Sequence, residues 1–214
     1  YNLTRVDYPD GTFITMTHDG KGNMLTRTDQ GGNIWSYTYN GAGQILTATN
    51  PRGGVMTFTY NSSDATLTTI KDHFNNITSF TYDAQKRPIQ ITHPDGTFRS
   101  FTYANNDNLL TVTDENGKIT TYTYDANGNL TTMTDPLGHT LTMVYDGNDR
   151  IISTVDQLNK TSTFTYDQPG RLKSMTSPSN ETVSLGYDAR GWLTTTTDPA
   201  GKTTSRAFDN EEVI

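Results

Sequence analysis

The residues able to do chemistry are concentrated in short acidic turns. Asp125-Ala-Asn-Gly128-Asn129 has the look of half a calcium loop, but it lacks a bidentate Glu and the length of a cage. Turn chemistry explains it better, because Asp bonds the backbone two residues on and Gly takes φ > 0 freely. Asp135-Pro136-Leu-Gly138 and Asp198-Pro199-Ala-Gly201 read the same way, with Pro presetting φ, and so does Asp188-Ala-Arg-Gly191. His18, His73, His93 and His139 stand far apart in the chain without ligand spacing, so no metal site is expected. Without Cys or a Gly-x-Ser-x-Gly elbow, nucleophilic catalysis has no support. Neither an enzyme nor a cofactor is indicated. Six Asn-x-Ser/Thr triplets are close to inevitable in a chain holding 41 Thr. Tyrosines in rows offer stacking surfaces for sugars, yet only Trp35 and Trp192 are present, and packing within a sheet is the better reading.

The spacing of these residues identifies what positions them. Tyr39, Tyr60, Tyr82, Tyr103, Tyr124, Tyr145, Tyr166 and Tyr187 recur every 21 residues, with one step of 22, and His18 and Phe208 extend the series. A fixed period of this length marks an array in which each unit packs only on its neighbours. Nine complete repeats span 18–207, residues 1–17 are the back of an earlier repeat, and 208–214 open a further one. The expected object is a segment of a longer array.

Composition alone would mislead. Leu, Ile, Val and Phe number 39 of 214 at a net charge of −7, a balance that suggests disorder. The periodic placement of β-branched Thr and of twelve Tyr decides for a fold. No apolar run reaches membrane-span length, and no signal peptide is visible. An acidic chain without a basic stripe gives no nucleic-acid surface.

Each repeat holds two segments of about seven residues between turn signals, which is strand length. The expected fold is all-β: about 18 to 20 antiparallel strands in tandem hairpins, forming a long, twisted, coiled sheet. In Ile119-Thr-Thr-Tyr122-Thr-Tyr124, aromatic residues and Thr alternate, so one face carries Tyr, Phe and Trp and the other Thr and Ser. The first strand is less regular, with Leu130 and Met133 three apart, which calls for a β-bulge or strong twist. Phe13 and Phe98 stand at Thr-face positions without explanation. The 22-residue step, at Asn61-Ser-Ser-Asp64, reads as one inserted loop residue.

The unit Tyr-Asp-x-x-Gly-Arg/Asn-Leu followed by Asp-Pro-x-Gly resembles the RHS, or YD, repeat. It is fullest at Tyr124-Asp125…Gly128-Asn129-Leu130…Asp135-Pro136…Gly138 and at Tyr187-Asp188…Gly191-Trp192-Leu193…Asp198-Pro199…Gly201. The resemblance implies a hairpin ribbon coiled into a hollow shell. In bacterial polymorphic toxins and toxin-complex subunits the shell encloses a C-terminal toxin; in the teneurins a similar shell serves adhesion. The family's self-cleaving Asp-Pro-x-Gly core is not matched, since an ordinary repeat follows Gly138. The implied role is structural: part of a secreted or cell-surface shell around a C-terminal toxin or other cargo. The alternative is an extracellular adhesion or glycan-binding module on the same ribbon. Implied partners are flanking repeats and enclosed cargo, with a surface glycan or protein under the alternative. Unpaired terminal strands are also templates for edge-to-edge self-association.

Overall fold

The structure, a computed structural model, describes residues 1–208. Twenty antiparallel strands form one open sheet, and no helix occurs among the described residues. Contacts divide the chain into two units, one of residues 1–101 with 114–116, the other of 102–113 with 117 onward.

The first unit holds β1 (Arg5–Asp7), β2 (Phe13–His18), β3 (Met24–Thr28), β4 (Ile34–Tyr39), β5 (Ile45–Thr49), β6 (Val55–Tyr60), β7 (Leu67–Lys71), β8 (Ile77–Tyr82), β9 (Pro88–Thr92) and most of β10 (Phe98–Tyr103). The second holds β11 (Leu109–Thr113), β12 (Ile119–Tyr124), β13 (Leu130–Thr134), β14 (Thr140–Tyr145), β15 (Ile151–Val155), β16 (Thr161–Tyr166), β17 (Leu172–Thr176), β18 (Thr182–Tyr187), β19 (Leu193–Thr197) and β20 (Thr203–Ser205). Within each unit every strand pairs with the next in the chain, as a meander.

Period two separates two faces. Tyr122 stands opposite Met133, and Met133 opposite Leu141, which builds the apolar face. Thr123 stands opposite Thr132, and Thr132 opposite Thr142, which builds the hydroxyl face. The hydroxyls pair across strands: Thr123 Oγ1 lies 2.7 Å from Thr132 Oγ1, and Thr38 Oγ1 2.7 Å from Thr47 Oγ1. Tyr122 and Tyr124 are half-buried while Thr121 and Thr123 are exposed, so the aromatic face is the better covered one. No side chain among the described residues is fully buried. Packing is therefore carried by neighbours across strands rather than by an enclosed core.

The irregular first strand is a bulge. Tyr124 pairs with Leu130 while Thr123 pairs with Thr132, leaving Thr131 as the extra residue. That shift puts both Leu130 and Met133 on the apolar face despite their spacing of three. The same bulge recurs at Thr38/Tyr39, Val144/Tyr145, Thr165/Tyr166 and Gly186/Tyr187.

Phe13 and Phe98 also find an account. They open their strands at the register position that Ile34, Val55 and Ile77 fill in the neighbouring hairpins of the first unit. All five sit on the hydroxyl face, and all are exposed. The position is an apolar margin of that face rather than a break in it.

Most turns use one device. In Asp125–Asn129 the Asp125 amide donates to the Asn129 carbonyl and the Gly128 amide to the Asp125 carbonyl. The Asp125 carboxylate meanwhile accepts the Asn127 and Asn129 amides, each at 2.9 Å. Residue four of the turn takes positive φ, and Gly128 sits at φ 90. Asp135–His139 is the same turn, so the Asp-Pro-x-Gly and Asp-x-x-Gly segments differ only in sequence. The longer repeat is accommodated at Asn61–Thr66, where the Asn61 amide reaches the Thr66 carbonyl across one extra residue.

Candidate functional surfaces

The tyrosines that mark the repeat do more than fill space. Each ends its strand on the apolar face, opposite the residue that begins the next strand. Tyr39 faces Ile45, Tyr60 Leu67, Tyr82 Pro88 and Tyr124 Leu130. Tyr145, Tyr166 and Tyr187 face Ile151, Leu172 and Leu193. Tyr103 is likewise the last residue of β10.

Four of their hydroxyls reach back to the preceding hairpin. Tyr39 donates to the Met24 carbonyl at 2.8 Å, Tyr145 to Leu130 at 2.9 Å, Tyr166 to Ile151 at 2.8 Å and Tyr187 to Leu172 at 2.9 Å. In each of these four the acceptor is the residue just before the bulge. Burial raises the pKa of Tyr39, Tyr82, Tyr124 and Tyr145, keeping each phenol protonated as a donor. His18, the first of the series, keeps a buried Nδ1 without a partner among the described residues.

The Arg of the motif is a second staple. Arg171 Nε donates to Asp167 of its own turn at 2.7 Å, and its guanidinium lies 4.6 Å from the Tyr187 ring centroid. Nη1 also donates to the Asp188 carbonyl at 3.1 Å. Arg150 repeats the arrangement with Asp146 and, at 4.7 Å, Tyr166. Where the motif has Asn, Asn129 Nδ2 instead crosses to Asp149 Oδ1 of the next turn at 2.7 Å. Adjacent hairpins are thus tied at the turns as well as along the strands. Sequence reasoning found these residues by their period but did not see the bonds between repeats.

The turn residues occupy the following places. The Asp188 carboxylate accepts the Arg190 and Trp192 amides, each at 2.9 Å, and Gly191 takes φ 92. Asp198 accepts the Lys202 amide at 2.8 Å, and Gly201 takes φ 81. Pro136 and Pro199 follow the turn Asp, and Gly138 takes φ 86. The amide of Asn129 is the largest influence holding Asp125 below the usual carboxylate range; for Asp146 it is the Arg150 side chain. No cluster of metal-ligating side chains occurs among the described residues. Among the described residues no helix is long and apolar enough to cross a membrane.

Comparison with solved structures finds the same hairpin architecture in other chains. The TcdB2-TccC3 structure without its hypervariable C-terminal region matches over 97% of this chain at a TM-score of 0.54 and 16% identity. The TcdB2-TccC3-Cdc42 structure matches over 89% at a TM-score of 0.50 and 17% identity. This chain spans only 16% and 14% of those chains. The Tc holotoxin pore of Photorhabdus luminescens is also similar, at a TM-score of 0.49 and 18% identity, over 89% of this chain and 13% of that one. Among curated proteins none matches this sequence. The family model for the RHS Repeat matches residues 18–55, 57–97, 103–140 and 169–204, well over half of the length. With the bulges, tyrosine bonds and arginine staples repeating in step, the chain belongs to the RHS repeat family.

Proposed function

We propose that this chain is a stretch of wall in a secreted or cell-surface shell that encloses a C-terminal toxin or other cargo, and that its own role is structural rather than enzymatic. The observation that carries the reading is the continuity of the repeat. The same bulge, turn and hydroxyl bond recur from hairpin to hairpin, and the strands present one aromatic face and one hydroxyl face. Such a ribbon extends by addition and gives an enclosure chemically different sides. Membership in the RHS repeat family supports it. So does the architecture shared with TcdB2-TccC3, a chain described with a hypervariable C-terminal region. The tyrosine row and the Asp–Gly turns are the residues to which this role assigns the wall's integrity.

The test is limited proteolysis of the full-length parent protein. The C-terminal region is expected to survive protease until denaturant opens the array. Digestion of that region at the rate of the isolated segment, with the array intact, overturns encapsulation and favours an adhesion module on the same ribbon.

A further inference from the structure

The apolar margin of the hydroxyl face is not demanded by the fold. In the first unit Phe13, Ile34, Val55, Ile77 and Phe98 hold it, each between 41 and 53% exposed. In the second unit the same register position passes from Ile119 to Thr140, Thr161 and Thr182, and the hairpins pair in the same way. Thr140 and Thr182 also pair their hydroxyls with Thr134 and Thr176, each at 2.9 Å. A polar residue therefore serves the hairpin at this position, and five exposed apolar side chains in one row point to a use beyond it.

The face that they border is nearly free of charge. From β2 to β10 Thr, Ser and Gln fill most of its other positions, and among the described residues Lys71, opposite Ile77, is the one charged residue on it. On β1, Arg5 and Asp7 neutralise each other at 2.7 Å. A chain of net charge −7 thus keeps its acidic groups off this surface between β2 and β10. Nine strands about 4.8 Å apart and about 20 Å long give the face about 800 Å². That is the share which one partner buries in a specific interface.

The order of the row identifies the partner. From β2 to β10 it runs Phe, Ile, Val, Ile, Phe, the same in both directions. We propose that this face binds a second copy of the chain about a two-fold axis running along β6 through Val55. Such an axis reverses the order of the strands and keeps each strand end in place, so the margin of one copy meets the margin of the other. Val55 meets the partner's Val55 on the axis, Ile34 meets the partner's Ile77, and Phe13 meets the partner's Phe98. Lys71 on β7 lies opposite the partner's Thr49 on β5. An axis laid along the row would instead set Lys71 against the partner's Lys71, a like-charge contact. Two sheets packed face to face keep their strands within about 30° of each other, which suits this operation. The contact uses the first unit alone and stands whether or not the ribbon encloses cargo.

Sedimentation velocity of the whole chain over a range of concentrations is the test, and a reversible dimer is expected. Val55→Asp, which brings two carboxylates together on the axis, should weaken the dimer at least about tenfold. Thr161→Asp, at the same register position in the second unit, should leave it unchanged. Both variants should keep the circular dichroism of the parent. Cross-linking reads the orientation independently. The chain has no Cys, and facing sheets stand about 10 Å apart, too far for a disulfide, so the reagent is a short bismaleimide. Val55→Cys should cross-link to itself, whereas Phe13→Cys and Phe98→Cys should cross-link when mixed and not alone. A chain that stays monomeric up to about 100 µM overturns the proposal. So does association that survives Val55→Asp, the outcome if terminal strand edges pair instead. Self-linking of Phe13→Cys alone places the axis along the row and overturns it as well.

Discussion

The phenol of Tyr145 donates to the carbonyl of Leu130, fifteen residues back and in the preceding hairpin, at 2.9 Å. The bond explains why the position holds Tyr where Phe would pack equally well. Tyr145→Phe removes the donor and leaves the bulge carbonyl to water. A loss of about 1 kcal/mol is expected by denaturant unfolding, against about 2 kcal/mol for Tyr145→Ala, which also strips half-buried ring area. Indistinguishable losses for the two substitutions would show that the hydroxyl contributes nothing.

Arg171 and Tyr187 form the second link between repeats, and a double-mutant cycle measures it. Arg171→Ala and Tyr187→Leu are expected to couple by about 0.5–1 kcal/mol, the range of a solvent-accessible cation–π contact. Arg171→Lys should fail to restore the coupling, because the guanidinium meets Asp167, the Asp188 carbonyl and the ring together.

Acid should weaken the array through its turns. The folded pKa values of Asp29, Asp72 and Asp125 lie below the ordinary carboxylate value, held down chiefly by the Asn33 side chain, the Asn76 side chain and the Asn129 amide. A carboxylate depressed on folding contributes stability above its unfolded pKa, near 3.9, that is lost as pH falls through the lower folded value. The denaturant midpoint should therefore fall between about pH 5 and pH 2. Replacing these three residues by Asn, which already serves at Asn40 and Asn50, should flatten that slope while keeping the turn. An unchanged slope in the triple variant would remove the turns as its source.

Backbone strain predicts a gain as well as a loss. Ala65, fifth in the lengthened Asn61–Thr66 turn, takes positive φ at 64, the conformation that glycine holds in most other turns. Ala65→Gly should stabilise by about 0.5 kcal/mol, the relief of strain outweighing the added freedom of the unfolded chain. Gly128→Ala, at φ 90, should cost about 1 kcal/mol. Thermal unfolding of both variants checks the opposite signs.

Much of this was legible in the sequence, and particular residues show where legibility ended. Alternation in Tyr122-Thr-Tyr124 gives the two faces directly, and the Asp-x-x-Gly spacing gives the turns. Leu130 and Met133 did not resolve, because a bulge and a twist produce the same spacing until a partner strand fixes the register. Phe13 and Phe98 looked anomalous one at a time; aligned with Ile34, Val55 and Ile77 they share a single register position. The tyrosine and arginine bonds join residues fifteen and sixteen apart across neighbouring hairpins, which strand periodicity does not express. The further repeat expected at 208–214 lies, beyond Phe208, outside the described residues.

Because each hairpin makes its bulge, its turns and its staples with the next one alone, the genetic unit and the mechanical unit coincide. Unequal recombination between two in-frame copies of the 21-residue coding segment would remove or add one hairpin and leave a junction in which the same phenol finds the same carbonyl. Such a gene can change the length of its product in whole hairpins at little cost to folding. A lesion in one repeat, by the same logic, is confined to that hairpin and its two neighbours.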